Sequence, residues 1–162
     1  EGWQETFGFP PSGDLPSAAL SYDGLLIAAG DDLVDWTDPY APEIFADLTG
    51  GSSRCLAEWN GRLAVGGHFD SVAGVPAAGI AIYEDGVWSE PGGGFNGPVQ
   101  ALAIHSGQLV TGGAFDSAGG TPARNVAIYD GETWQPLGDG KAIAGRALRH
   151  DLGLCGEDLR PC

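Results

Sequence analysis

The chain has 162 residues with seven basic and 22 acidic side chains, a formal charge of −15, and it holds 28 glycines and 11 prolines but no methionine. That charge excludes ligands whose binding requires neutralising phosphates, so neither nucleic acid nor an anionic membrane surface is expected as a partner. No apolar run reaches the roughly 18 residues that a spanning helix needs, and short apolar runs cut by Gly and Pro predict an all-β fold with many turns.

The first residues, EGWQET, have neither the basic start nor the apolar core of a secretory signal, so export would imply a leader already removed. Gly2-Trp3 resembles the Val87-Trp88 end of a later unit, and residues 1–16 are therefore read as a partial last strand. Residues 17–52 form a divergent unit. Its opening AALSYDGLLIAAG echoes the later RCLAEWNGRLAVGG, and the acidic stretch DDLVDWTDPYAPEIF that follows reads as a loop unlike the others. Asp31, Asp32, Asp35 and Asp38 make this the densest acidic segment, expected as a solvated loop, with a cation site as the alternative.

Residues 53–98 and 99–144 align without a gap at an offset of 46, with 18 of the 46 pairs identical. Gly66-Gly67-His68-Phe69-Asp70-Ser71 matches Gly112-Gly113-Ala114-Phe115-Asp116-Ser117. Ala81-Ile82-Tyr83 matches Ala127-Ile128-Tyr129, and Trp88 matches Trp134. In the second unit the alternation and turn residues predict strands at 99–105, 108–113, 125–130 and 133–137, joined by hairpins at Ser106-Gly107 and Gly131-Glu132. The link from Phe115 to Arg124 is expected as an ordered loop. Four antiparallel strands in this length are the content of one β-propeller blade, so the prediction is an all-β array of about 3.5 to 4 blades. Arg146-Ala147-Leu148 keeps register with Gln100-Ala101-Leu102 and Gly153 with Gly107, after which the pattern fades, so residues 145–162 read as a second partial blade.

Cys55, Cys155 and Cys162 cannot all pair within one chain. Cys155 and Cys162 flank the tail CGEDLRPC and are expected to be bonded, whereas Cys55, in an apolar run, is expected as a buried thiol. The bridge points to an oxidising, extracellular or cell-surface setting.

The pattern GG-x-F-x-S-x-x-G-x-P-A, then I-A-x-Y and W, present in Gly66–Trp88 and again in Gly112–Trp134, resembles the kelch-like propeller repeats of secreted bacterial and fungal surface proteins. The resemblance covers about 92 residues and implies binding or scaffolding rather than catalysis. The copper ligands of the galactose-oxidase type of kelch enzyme are not recognisable here.

Asp70 and Asp116 stand at matched positions before the Gly-rich link. A calcium role would need six or more oxygens and a D-x-D-x-D-G loop is absent, so each is read first as an aspartate bonded to its own turn. His68, His105 and His150 align with Ala114, Trp59 and Ile104, which predicts partly buried packing rather than metal or catalytic work. Trp88, Trp134, Tyr83 and Tyr129 recur with the repeat and are read as structural. Trp36, Tyr40 and Trp59 do not recur and are the ligand-stacking candidates. No nucleophile-elbow, zinc-protease, Walker or Rossmann motif is present, so neither catalytic residues nor a cofactor are expected.

These readings make the chain a non-catalytic interaction module contacting a protein or glycan at a cell surface. A lectin-like propeller and a propeller glycoside hydrolase or lyase are the alternatives. Because 162 residues hold about 3.5 units, closure needs either a four-bladed ring clasped by the two termini or a larger ring completed by a second copy or further polypeptide. The interrupted ends favour the second.

Overall fold

A computed structural model of the chain describes residues 16–38, 40–137, 154–155 and 160–161. Among these residues there is no helix, and the core is built from three four-stranded antiparallel sheets. Sheet I runs β1 (Ala18–Tyr22), β2 (Leu25–Ala29), β3 (Leu33–Asp35) and β4 (Glu43–Ala46) in chain order. After the linker strand β5 (Leu48–Thr49), sheet II is formed by β6 (Ser52–Trp59) and β7 (Arg62–His68). An inserted hairpin follows, β8 (Ser71–Val72) and β9 (Val75–Pro76), before β10 (Ile80–Glu84) and β11 (Val87–Ser89) complete the sheet. Sheet III repeats the plan with β12 (Val99–His105), β13 (Gln108–Gly113), the inserted hairpin β14 (Ser117–Ala118) and β15 (Thr121–Pro122), then β16 (Val126–Tyr129) and β17 (Trp134–Pro136). A short ladder, β18 (Leu154–Cys155) with β19 (Arg160–Pro161), lies near the C terminus.

The alternation and turn residues explain these elements. The first two strands of each sheet are joined by Asp23-Gly24, Asn60-Gly61 and Ser106-Gly107, whose φ values of 48° and 79°, 51° and 76°, and 49° and 77° describe the same type I′ turn three times. Strands β12 and β13 match their expected limits, while β16 and β17 are each trimmed at both ends. The link Phe115–Arg124 is ordered, as expected, and contains the β14–β15 hairpin, whose main chain bonds to itself. One expectation is corrected. The acidic stretch after Gly30 contains β3 and β4, so unit I keeps four strands and is short because it lacks the inserted hairpin between its second and third strands.

The apolar core lies between the sheets. One cluster joins Tyr22, Ile27, Ala29 and Leu33 of sheet I to Leu63, Val65, Phe69, Ala77, Ala81 and Trp88 of sheet II. The other joins Cys55, Ala57, Trp59, Ala64 and Ile82 of sheet II to Leu109, Phe115, Ala123, Ala127, Tyr129 and Trp134 of sheet III. Strand β1 lies beside β6, and β6 beside β12. The inserted hairpins secure the linkers, since β8 pairs with β5 and Ala118 of β14 bridges to Phe95. An aromatic donor closes each junction: Tyr22 Oη donates to the Gly61 carbonyl at 3.0 Å, and Trp59 Nε1 donates to the Gly107 carbonyl at 2.8 Å.

Candidate functional site

The residues that depart from the repeat meet at the far edge of sheet I. Strand β3 ends at Asp35, whose Oδ1 accepts from the Thr37 amide at 2.8 Å and the Thr37 hydroxyl at 2.6 Å. Thr37 Oγ1 in turn accepts from the Leu26 amide at 3.0 Å, and the Trp36 amide donates to the Leu26 carbonyl at 2.7 Å. The connection therefore satisfies the main chain of β2 where β3 has ended. Asp38 then turns the chain back, its Oδ1 accepting from the Tyr40 amide at 2.9 Å. This leaves Tyr40 at the tip, 75% exposed. Strand β4 begins opposite, with Glu43 paired to Asp35.

Together Leu25, Asp35, Thr37, Asp38, Ala41 and Glu43 line an open depression. Its apolar contribution is Leu25 and Ala41, and three carboxylates surround it. The turn bonds of Asp35 and Asp38 both use Oδ1. Such a constellation is suited to a guanidinium or ammonium group, which carboxylates hold through charge-assisted bonds. It is not a metal shell: among the described residues no three His, Cys, Asp or Glu side chains converge closely enough to hold an ion.

Of the stacking candidates, Tyr40 is exposed and precedes Ala41 of the lining in the chain, and Trp36 is half-buried and lies in the chain between Asp35 and Thr37; neither lines the depression. Trp59 is elsewhere and enclosed. It is 2% exposed between sheets II and III, edge-on to Tyr129 at 5.5 Å, and spends its N–H on Gly107, so no ring face is open to a ligand. Asp70 and Asp116 occupy equivalent turns whose bonds are made by the main chain. Each carbonyl accepts at 2.9 Å, from Ala77 and Ala123, and each amide donates, to the Thr49 carbonyl at 2.7 Å and to Asn96 Oδ1 at 2.9 Å. His68 and His105 are exposed, which corrects the expectation of partial burial. His105 stands where Trp59 stands in sheet II, and it is exposed because, among the described residues, no sheet packs on that face of sheet III. Cys55 is a buried free thiol, and burial pushes its pKa up to about 12. The Cys155–Cys162 bridge and His150 lie outside the described residues, as do residues 1–15 and all of 145–162 except the β18–β19 ladder.

The acidic cluster was legible in the sequence, but Glu43, Leu25 and Ala41 were not singled out. They reach the depression through the pairing of β4 with β3 and β3 with β2; Ile82 with Ser89 and Ile128 with Gln135 pair in the same way, but the shorter link between β2 and β3 breaks the 46-residue spacing that would have aligned them.

No protein-family model, no curated protein and no solved structure matches the chain.

Proposed function

We propose that this chain is a non-catalytic interaction module of a secreted or cell-surface protein, built from kelch-like β-propeller blades, and that the acidic depression of sheet I takes a basic side chain of a partner protein. The observation that carries the reading is the grouping of Asp35, Asp38 and Glu43 around an apolar patch, with exposed Tyr40 preceding Ala41 of that lining in the chain. Carboxylates around an apolar patch suit an Arg or Lys side chain, whose aliphatic stem packs while its head is paired. The formal charge of −15 favours encounter with the same class of partner. The blade reading draws support from the four-stranded antiparallel plan of every sheet, the adjacency of β1, β6 and β12, and a core that lies between sheets. A lectin-like propeller would instead repeat an exposed aromatic in each blade, and the recurring Trp88, Trp134 and Tyr129 are buried.

The test is a titration with Arg-containing and Lys-containing peptides against charge-reversed controls, at two salt concentrations. Binding of the basic peptides that weakens with salt, and at least about tenfold in Asp38→Asn and Glu43→Gln, is expected from losing a charge-assisted bond. Binding on a glycan array that Tyr40→Ala abolishes and Glu43→Gln leaves intact would replace this reading with the lectin one. Turnover in a hydrolase panel would replace it with the enzyme one.

A further inference from the structure

The chain holds three asparagines, Asn60, Asn96 and Asn125, and the first two precede glycine. An Asn-Gly step exposes the main chain to attack on itself, because glycine has no side chain to shield its amide nitrogen from the asparagine side chain before it. The attack needs an asparagine free to turn and a glycine that nothing crowds. The two steps stand in opposite environments. Asn96 is held, its Oδ1 accepting from the Asp116 amide at 2.9 Å and from the Ser117 amide at 3.0 Å. Its glycine is hemmed in, since a Cβ added to Gly97 would overlap the Ala114 carbonyl. Asn60 is exposed in the β6–β7 turn, and among the described residues its side chain has no hydrogen-bond partner. Gly61 is exposed as well, nothing stands within 4 Å of where its Cβ would be, and its amide has no main-chain acceptor. Asn125 precedes buried Val126, whose branched side chain shields the nitrogen.

The surroundings of Asn60 also fix what such an attack would do. Asp23-Gly24 makes the same turn, with φ of 48° and 79° against 51° and 76° at Asn60-Gly61, so an aspartate fits there. An isoaspartate does not. Its main chain runs through the former side chain and puts one further methylene into a two-residue loop closed by the pairing of Trp59 with Arg62. The Gly61 carbonyl in that loop accepts the Tyr22 hydroxyl, the bond at the rim between sheets I and II.

We infer that Asn60-Gly61 is a site of spontaneous modification, deamidating through a succinimide to aspartate and isoaspartate, and that the isoaspartyl form releases the Tyr22 latch between sheets I and II. The Gly61 nitrogen bonds to Asn60 Cγ as the Cγ–Nδ2 bond breaks, and Nδ2 leaves as ammonia with the proton of the Gly61 amide. Water then opens the ring. Cleavage of the Gly61 nitrogen from Cγ gives aspartate in the ordinary main chain, whereas cleavage from the Asn60 carbonyl carbon leaves the chain running through Cγ. Either product adds one negative charge to the formal −15. Neither Asn60, Gly61 nor Tyr22 lines the acidic depression, so this inference and the peptide-binding reading fail independently.

Ageing the full chain at mildly alkaline pH, with peptide mapping of asparagine, aspartate and isoaspartate at both steps, tests it. Deamidation at Asn60 is expected to run at least about tenfold faster than at Asn96, which must first shed two main-chain bonds. In guanidinium chloride the two rates should converge to within about twofold, because both are then unheld Asn-Gly steps. The isoaspartyl fraction, separated by ion exchange, should melt several degrees below the unaged chain, and Asn60→Asp should melt with the unaged chain. In Tyr22→Phe the latch is already absent, so the isoaspartyl loss should shrink. Conversion at Asn96 as fast as at Asn60 in the folded chain would overturn the inference. So would a folded chain unchanged at Asn60 while the denatured chain converts, an isoaspartyl form as stable as the unaged chain, or an undiminished loss in Tyr22→Phe.

Discussion

The two junctions between sheets use the same mould and different plugs. The receiving faces of sheets II and III are near copies: Leu63, Phe69, Ala77, Ala81, Tyr83 and Trp88 recur as Leu109, Phe115, Ala123, Ala127, Tyr129 and Trp134. The inserted faces are not copies. Sheet I offers Leu20, Tyr22, Ile27 and Ala29, and sheet II offers Ala57, Trp59, Ala64 and Gly66 at the matched positions. A larger aromatic at the rim thus accompanies smaller side chains behind it, as close packing demands. The mouth of the junction differs in kind. Between sheets I and II, Ser53 Oγ donates to the Gly30 carbonyl and accepts from the Gly30 amide, both at 2.9 Å. Between sheets II and III the residue matched to Ser53 is Val99, packed so closely on Gly66 that an added methyl there would stand 2.7 Å from it. The repeat constrains one side of each junction and leaves the other free to vary, so long as the pair fills the gap.

The comparison breaks most sharply at Trp59. Trp59→Ala should destabilise the chain by about 3–5 kcal/mol in urea unfolding, since it empties the rim of junction II–III and leaves the Gly107 carbonyl without its donor. The next effect is specific to pH. The Cys55 thiol stays protonated to about 12 in the folded chain, against an ordinary value of 9.0. Between those values the unfolded chain binds fewer protons, so stability present in full below pH 9.0 should fall by about 1.4 kcal/mol per unit as pH rises. Cys55→Ala should flatten that slope until the tyrosines, Tyr22 and Tyr129, whose pKa values burial also raises, begin to contribute above 10.0.

Two smaller changes sharpen the contrast at junction I–II. Ser53→Ala removes both side-chain partners of Gly30, while the Ser53 amide keeps its 2.8 Å bond to the Gly30 carbonyl. A loss of about 1–2 kcal/mol is expected from the amide left unpaired. Val99 at the other junction makes no such bond, so a Ser53→Val exchange costing nothing would show that packing alone sets the mouth. Tyr22→Phe keeps the ring and deletes only the bond to Gly61, with an expected cost of about 1 kcal/mol by the same unfolding measurement.

Much of this architecture was written locally. The offset of 46, the paired turn residues and the alternation determined the strands of sheets II and III and their first hairpins, because a type I′ turn and a half-buried strand are specified by a few adjacent residues. The burial of Trp88, Trp134, Tyr129 and Cys55 followed from the same pattern. Sheet I was read less well, since without the inserted hairpin its third and fourth strands had no aligned partner and their acidic residues imitated a loop. What only the tertiary structure decided is which face of each strand meets a neighbour. Trp59 and Tyr40 are equally aromatic and equally outside the repeat, yet one is sealed between two sheets and the other stands at a turn tip, 75% exposed. His105 holds the position of Trp59 and is exposed because, among the described residues, no sheet packs on the face it shares with Ala103. Burial is a property of what lies opposite, and spacing along one strand carries no record of it.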